Sequence, residues 1–346
     1  MIARVLTREQ LGTERLNGLV LTADLSDRAG QFVLAKGTTL CDADLVRLHQ
    51  AEWDTLHVLV LASDDVHEAE AGRRLAQAVA GPGIVVGAST GGQWPLRSLH
   101  RGVLEVNAAG LAALHACEDL SVYTLYDGQV VDGQETVARA KIVPFAVPQA
   151  TMALGERRAA ELAPLLAVRP FHPCRVSALV QESLSGRARE RFQEAFGEKV
   201  AWFGGVLNEP LHVRPERGEV GDALATLLAS GPDLLVVAGS RAMDPLDPIY
   251  SALATVGATM IRRGMPAHPG SLCWVARGGA TSIVGMPSCG VFSRATVFDL
   301  LLTWVFAGVS LDAPRLAQVG HGGFLTRDMA FRFPPYRHAR DRGEVE

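Results

Sequence analysis

The chain has 346 residues, 48% of them hydrophobic and 20% charged, with a formal net charge of -4 at pH 7. That length suits two or three domains, and the apolar content is enough to build buried cores. The slight acidity, with no dominating run of Lys or Arg, gives no electrostatic footprint for nucleic acid, and the five cysteines show no CxxC or Cys/His zinc spacing.

Scattered thiols of this kind suit a reducing compartment. The first residues, MIARVLTREQLGTERL, have no apolar stretch of the kind that leads a secretory signal. The most apolar segment, 298–309, contains Asp299 and is too short to span a bilayer. A cytoplasmic protein without nucleic-acid or membrane partners is the expectation.

Residues 1–163 are expected to form a β-rich α+β leader region. Asn17-Gly18, Lys36-Gly37, Asp127-Gly128 and Asp132-Gly133 are turn signals, lying among β-prone runs such as SVYTLY and AKIVPFAV. Helices are predicted over 42–51, capped by Asp42, over 66–80, stopped by Gly-Pro-Gly at 81–83, and over 107–115; TLHVLVLA is a predicted strand. Nothing in this part spells out a chemistry. The proline-rich LAPLLAVRPFHP disfavours helix and marks 164–174 as a linker.

From 175 to 308 the rhythm changes. Strands are predicted over 175–181, 199–207, 233–238, 258–262, 272–276 and 281–284, with helices over 184–196, 220–229, 248–256 and 293–307. Strands alternating with helices predict an α/β domain with a mostly parallel sheet covered on both faces. Residues 309–346 read as a C-terminal extension, mobile from about Phe331 onward.

In such sheets ligands bind beyond the carboxyl ends of the strands, which singles out four loops. The first is Gln181-Glu182-Ser183. The second runs from Gly239 to Asp247: Gly239 and Ser240 could bring backbone N–H groups to a phosphate, and Asp244 and Asp247 could hold a cation. Asp247 before Pro248 is equally a helix N-cap with proline at the first helical position. The third, from Gly264 to Ser271, combines rigid proline with permissive glycine. There His268 is either an acid, base or donor or a solvated loop histidine. The fourth, Gly285-Met286-Pro287-Ser288-Cys289-Gly290, leads with small residues into a helix. Cys289 is either a packed thiol or one with a lowered pKa. Arg294, expected in the first helical turn, conflicts with the helix dipole and points to an anion or to an ion pair.

At these loops the sequence resembles the molybdopterin-binding domain of the molybdopterin molybdotransferases, the MoeA-type molybdenum insertases. The T-G-D-E-L loop of that family corresponds to Val180-Gln181-Glu182-Ser183-Leu184, and its G-G-V-S-V-G-x-x-D loop to Gly239 through Asp247. Its P-G-K-P corresponds to Pro269-Gly270-Ser271-Leu272, and its G-L-P-G-N-P to Gly285 through Gly290. The resemblance implies a three-layer α/β molybdopterin-binding domain serving molybdenum-cofactor biosynthesis or handling. Glu182, Asp244 and Asp247 would be the cation-side carboxylates, the two aspartates holding Mg2+. Gly239, Ser240, Arg241, His268, Pro269, Gly270, Ser271, Gly285, Pro287, Ser288, Cys289 and Arg294 would line the cofactor. It also implies a homodimer by analogy. Glu182 replaces the family aspartate, Ser271 its lysine and Cys289 its asparagine. Those departures favour cofactor binding over the insertion reaction, and leave open a carrier or regulator delivering cofactor to a recipient molybdoenzyme. The leader resembles that of MoeA-like molybdopterin-binding proteins through AKGTTLCDADLVRLHQAEWDTLHVLVL.

Overall fold

A computed structural model describes residues 1–182, 186–286, 288–292 and 295–336, with backbone alone at Ser288 and Cys289. The chain divides into two compact units. One comprises Met1–His100, Leu104–Asp127 and Asp132–Val168; the other comprises Arg101–Val103, Gly128–Val131 and Arg169–Glu346.

The first unit is α+β. Strands Ile2–Thr7, Thr55–Val60 and Leu19–Leu21 form an antiparallel sheet around a core that includes Leu6, Leu21, Leu48 and Trp53. A second antiparallel sheet orders Leu120–Thr124, Thr136–Ile142, Gln93–Ser98 and Ile84–Val86. The helix Glu68–Val79 lies on this sheet and against the helix Gln149–Glu161. Gly72 permits the close approach: a Cβ there would stand 2.7 Å from Trp94 Cδ1. Asn107 caps the helix Ala108–His115, accepting from the Gly110 N–H at 2.8 Å.

The second unit is built on a seven-stranded sheet ordered Val206–Leu207, Arg175–Val180, Leu234–Ala238, Thr281–Met286, Trp274–Gly278 and Thr259–Arg263, with Leu211–His212 also paired to Arg175–Val180. Pairing is parallel as far as Thr281–Met286 and antiparallel for the last two strands. The central strand Leu234–Ala238 is wholly buried, because alternate residues enter two different cores. Val176, Val180, Leu234 and Val236 pack with Phe192 and Phe196 of the helix Gly186–Trp202 and Phe298 of the helix Val297–Phe306. Leu179, Leu235 and Val237 pack with Leu224 of the helix Arg217–Ala229 and Ile249 of the helix Pro248–Thr255.

Several expectations change. The strand predicted over 199–207 opens instead with the last turn of the helix Gly186–Trp202 and a reverse turn, and only Val206–Leu207 is extended. Phe192, Phe196 and Val200, all 0% exposed, recur every fourth residue and carry the helix past Gly197. The segment read as a linker contains the strand Leu166–Pro170, whose first residues are buried. The helix Gln149–Glu161 was not anticipated. The tail expected to be mobile from Phe331 is packed as far as it is described: Phe333 and Tyr336 are 5% and 1% exposed, and Leu311, Leu316 and Leu325 join the same core. The helix expected from 293 begins at Val297, where Thr296 and Asp299 form a capping box. Arg294, on which the dipole expectation rested, lies outside the described residues.

Candidate functional site

The parallel strands finish level with one another. Val180 lies beside Ala238, and Ala238 beside Met286. The ladder extends one step further into the loops: the Gln181 N–H donates to Ala238 O at 3.0 Å, and the Gly239 N–H donates to Met286 O at 3.1 Å. Glu182 packs directly on Gly239, whose φ is +81° and whose added Cβ would stand 2.8 Å from Glu182 Cβ. Both the left-handed backbone and the close contact require glycine.

Asp247 joins the first two loops. Its Oδ1 accepts from Gln181 Nε2 at 2.8 Å and from the Ile249 N–H at 3.0 Å, and its Oδ2 accepts from the Arg241 N–H at 2.8 Å. It caps the helix Pro248–Thr255, with Pro248 at the first helical position, and is only 5% exposed. Asp244 is half-buried and accepts from the Leu246 N–H at 2.9 Å. The Arg241 side chain is exposed.

The third loop opens at the same end of the sheet, because Trp274, which begins the antiparallel strand, pairs with Gly285. Pro269 O accepts from the Val297 N–H at 2.9 Å, and Gly270, at φ +115°, lies against Val297, so this loop meets the start of the helix Val297–Phe306. The C-terminal segment holds its other side: the His268 N–H donates to Gly323 O at 2.8 Å and His268 O accepts from the Leu325 N–H at 2.7 Å. His268, Pro269 and Ser271 are exposed, and Gly270 is half-buried.

Two of the small residues have a packing role. A Cβ on Gly285 would stand 1.7 Å from Trp274 Cε2, so the indole lies on the bare glycine. The Trp274 indole N–H donates to Ser240 Oγ at 3.0 Å, which fixes the ring and uses an acceptor site of a serine 7% exposed. Pro287, Arg294 and Ser183, with the side chains of Ser288 and Cys289, lie outside the described residues. Among the described residues, no group of three or more His, Cys, Asp or Glu side chains is arranged to hold a metal ion, and no helix is long and apolar enough to cross a membrane.

Some features of this end of the sheet have no clear sequence signal. Gln181 is 3% exposed, and its Oε1 has no hydrogen-bond partner among the described residues. His212, beside Val180, has a buried Nδ1 without a partner among the described residues. Burial, with Arg189 nearby, pushes its imidazole pKa below 6.5 and favours the neutral ring. Gln181 lies in the first of the four loops expected to bind ligand, but only a polar side chain ending an apolar strand hinted at a role of its own. Arg191 of the helix Gly186–Trp202 reaches the ring of Phe292, just past the fourth loop, at 5.7 Å. The site thus offers fixed backbone turns, an amide oxygen, a neutral imidazole and exposed cations, a set suited to binding a polar heterocycle with anionic substituents.

No family model matches the chain, and no curated protein matches it either. Solved structures similar to it include a molybdenum cofactor biosynthesis protein B, at 10% identity and TM-score 0.28, covering 44% of this chain and 98% of that one. A molybdopterin biosynthesis protein from Mycobacterium abscessus is similar at 13% identity and TM-score 0.24, covering 43% and 94% of the two chains. A molybdopterin biosynthesis MoeA protein from Pyrococcus horikosii is similar at 13% identity and TM-score 0.29, covering 70% and 79%. Likenesses at these TM-scores carry neither the fold nor the function by themselves.

Proposed function

We propose that the sheet and helices of residues 175–308, with their core completed by the residues that follow, form a three-layer α/β domain that binds molybdopterin or the molybdenum cofactor, in the biosynthesis or handling of that cofactor. The observation that carries this reading is the gathering of the four family-like loops at one end of the sheet. Glu182 rests on Gly239, Asp247 ties the second loop to the first, Gly239 bonds Met286 at the entrance to the fourth, and the third meets the helix that the fourth leads into. This is the end at which open α/β sheets bind ligands. The unpartnered Gln181 Oε1 fits a ligand rich in N–H donors.

Gly239, Ser240 and Gly270 shape the cradle, while Arg241, His268, Pro269 and Ser271 present polar or exposed surface to the ligand. Gly285 backs this end of the sheet beneath the Trp274 ring, and Pro287, Ser288, Cys289 and Arg294 are assigned to the ligand on the resemblance alone, since Pro287, Arg294 and the side chains of Ser288 and Cys289 lie outside the described residues. A Mg2+ site made by the chain alone does not fit the described residues, because no three-ligand group is present and both oxygens of Asp247 are engaged. In this reading Asp247 serves by holding two loops together. Glu182 and Asp244 are the carboxylates assigned to a cation carried by the ligand's phosphate.

The commitment of Asp247 favours a second reading over insertion: a carrier that binds cofactor without turnover and passes it to a recipient molybdoenzyme. The test is to purify the full chain from cells making molybdopterin and assay bound pterin, bound molybdenum and turnover of adenylylated molybdopterin. Bound pterin is the expected result, and its absence would overturn the reading. Turnover would overturn the carrier form and favour the insertase-related one.

A further inference from the structure

We infer that Gln181 is a specificity-determining residue whose side-chain oxygen accepts a hydrogen bond from an N–H on the edge of the bound heterocycle. The inference rests on the cofactor-binding reading above and adds to it the atom that recognises the ring.

The orientation of the Gln181 amide is fixed by its neighbours. Nε2 donates to Asp247 Oδ1 at 2.8 Å. That carboxylate also accepts from the backbone N–H groups of Ile249 and Arg241, so it is itself held in place. Turning the amide over would set its oxygen against a carboxylate oxygen, and the network therefore defines which atom is Oε1. Oε1 is thus an acceptor held in position, buried and without a donor among the described residues. Buried acceptors in native proteins nearly always find a donor, and an orphan in a ligand-binding loop is accounted for by a ligand that supplies one.

Its position gives the class of ligand. Gln181 follows the last residue of the strand Arg175–Val180 and lies level with Gly239, at the end of the sheet where the loops gather. His212 Nδ1, on the adjacent strand, is a second buried polar atom at this end of the sheet without a partner among the described residues. A lone carbonyl-type acceptor selects an amide or amino N–H over an ether or carbonyl oxygen, and the amino-oxo pyrimidine edge of a pterin presents such donors.

The experiment uses the full chain purified from molybdopterin-producing cells. Bound pterin is released, oxidised to a fluorescent form and counted per chain, and thermal unfolding is followed on the same samples. Gln181→Met keeps the length of the side chain and removes the acceptor together with the Nε2 donor to Asp247. It is expected to carry at least tenfold less pterin than wild type and to unfold cooperatively, at a somewhat lower Tm because the bond to Asp247 is lost. Wild-type loading in a folded Gln181→Met chain would overturn the inference while leaving the cofactor-binding reading intact. An empty wild-type chain would remove the cofactor-binding reading and this inference with it.

A ligand-side measurement is independent of how the variant folds. Equilibrium dialysis of wild type compares 6-hydroxymethylpterin with its 2-dimethylamino-3-methyl derivative, which has no N–H on that edge. At least tenfold weaker binding of the derivative is expected, and equal binding would overturn the inference.

Discussion

Glu68 stands at the start of the helix Glu68–Val79 in the first unit, with its carboxyl enclosed by two glycine turns. A Cβ on Gly37 would lie 2.3 Å from its Oε1, and one on Gly92 would lie 3.0 Å from its Oε2. Burial raises its pKa, and the opposing attractions of His67, Lys141 and Lys36 are weaker. The folded pKa therefore lies above the unfolded value of 4.5, so the stability contributed by the protonated form is present below pH 4.5 and is lost as pH rises through the folded value. Glu68→Gln, which stays neutral, is expected to raise the unfolding temperature of the first unit at pH 7, with the advantage shrinking below pH 4.5; thermal scans across pH check it. This residue gave no warning in the sequence, where His67-Glu68 looked like an ordinary helix start. Gly285 was misleading in the opposite way. A glycine at the head of a loop reads as a place where phosphate approaches, yet its bare face carries Trp274. Glycine has the same letter in both roles, and only the packing around it separates them.

Between elements, the strongest polar link lies inside the second core. Lys199 of the helix Gly186–Trp202 pairs with Asp299 of the helix Val297–Phe306, with the two side chains 3% and 0% exposed. Asp299 also accepts from the Thr296 N–H at 2.9 Å and its hydroxyl at 2.8 Å, and the Lys199 ammonium lies 4.7 Å from the Tyr336 ring. Removing one partner leaves a buried charge. Lys199→Met is therefore expected to lower stability by about 3–5 kcal/mol in urea titrations. The double variant Lys199→Met/Asp299→Leu should recover much of this, falling short by about 1 kcal/mol for the lost cap. The same lysine explains why the helix was cut short in the sequence reading: a charge at 199 after Gly197 resembles a surface break, and its partner is 100 residues away. Elements bounded by local chemistry were legible. Asp247-Pro248 marked one helix, and the unbroken apolar run of Leu234–Ala238 marked a strand buried on both faces, whereas the cap expected at Asp42 falls one residue earlier, on Cys41. Leu166–Pro170 was not legible, since its prolines read as linker while its burial depends on distant chain.

For the molecule as a whole, the least legible feature was the extent of the second unit. Its strand–helix alternation ends at about residue 308, so the remainder looked like an appendage. Instead, the helix Ala313–Gln318 and the residues after it complete the core: Leu311, Leu316, Leu325, Phe333 and Tyr336 are each at most 6% exposed. Burying each such side chain contributes roughly 1.5–3 kcal/mol. Together they match the whole stability of a typical domain, about 5–15 kcal/mol. The segment also supports the candidate site through the two backbone bonds that Gly323 and Leu325 make with His268. Gly323 has no room for a side chain, since a Cβ would lie 2.5 Å from Val319 O and 2.9 Å from Ala267 Cβ. A chain ending at Gly308 is therefore expected to lose cooperative unfolding of the second unit and its near-ultraviolet dichroism, while the first unit, with its separate cores, keeps its own transition. A truncated protein whose second unit still melted cooperatively at the wild-type temperature would show that the core closes without this segment. Gly323→Ala is the milder version, expected to loosen the third loop while the unit still unfolds as one, with faster amide exchange at His268 as its readout.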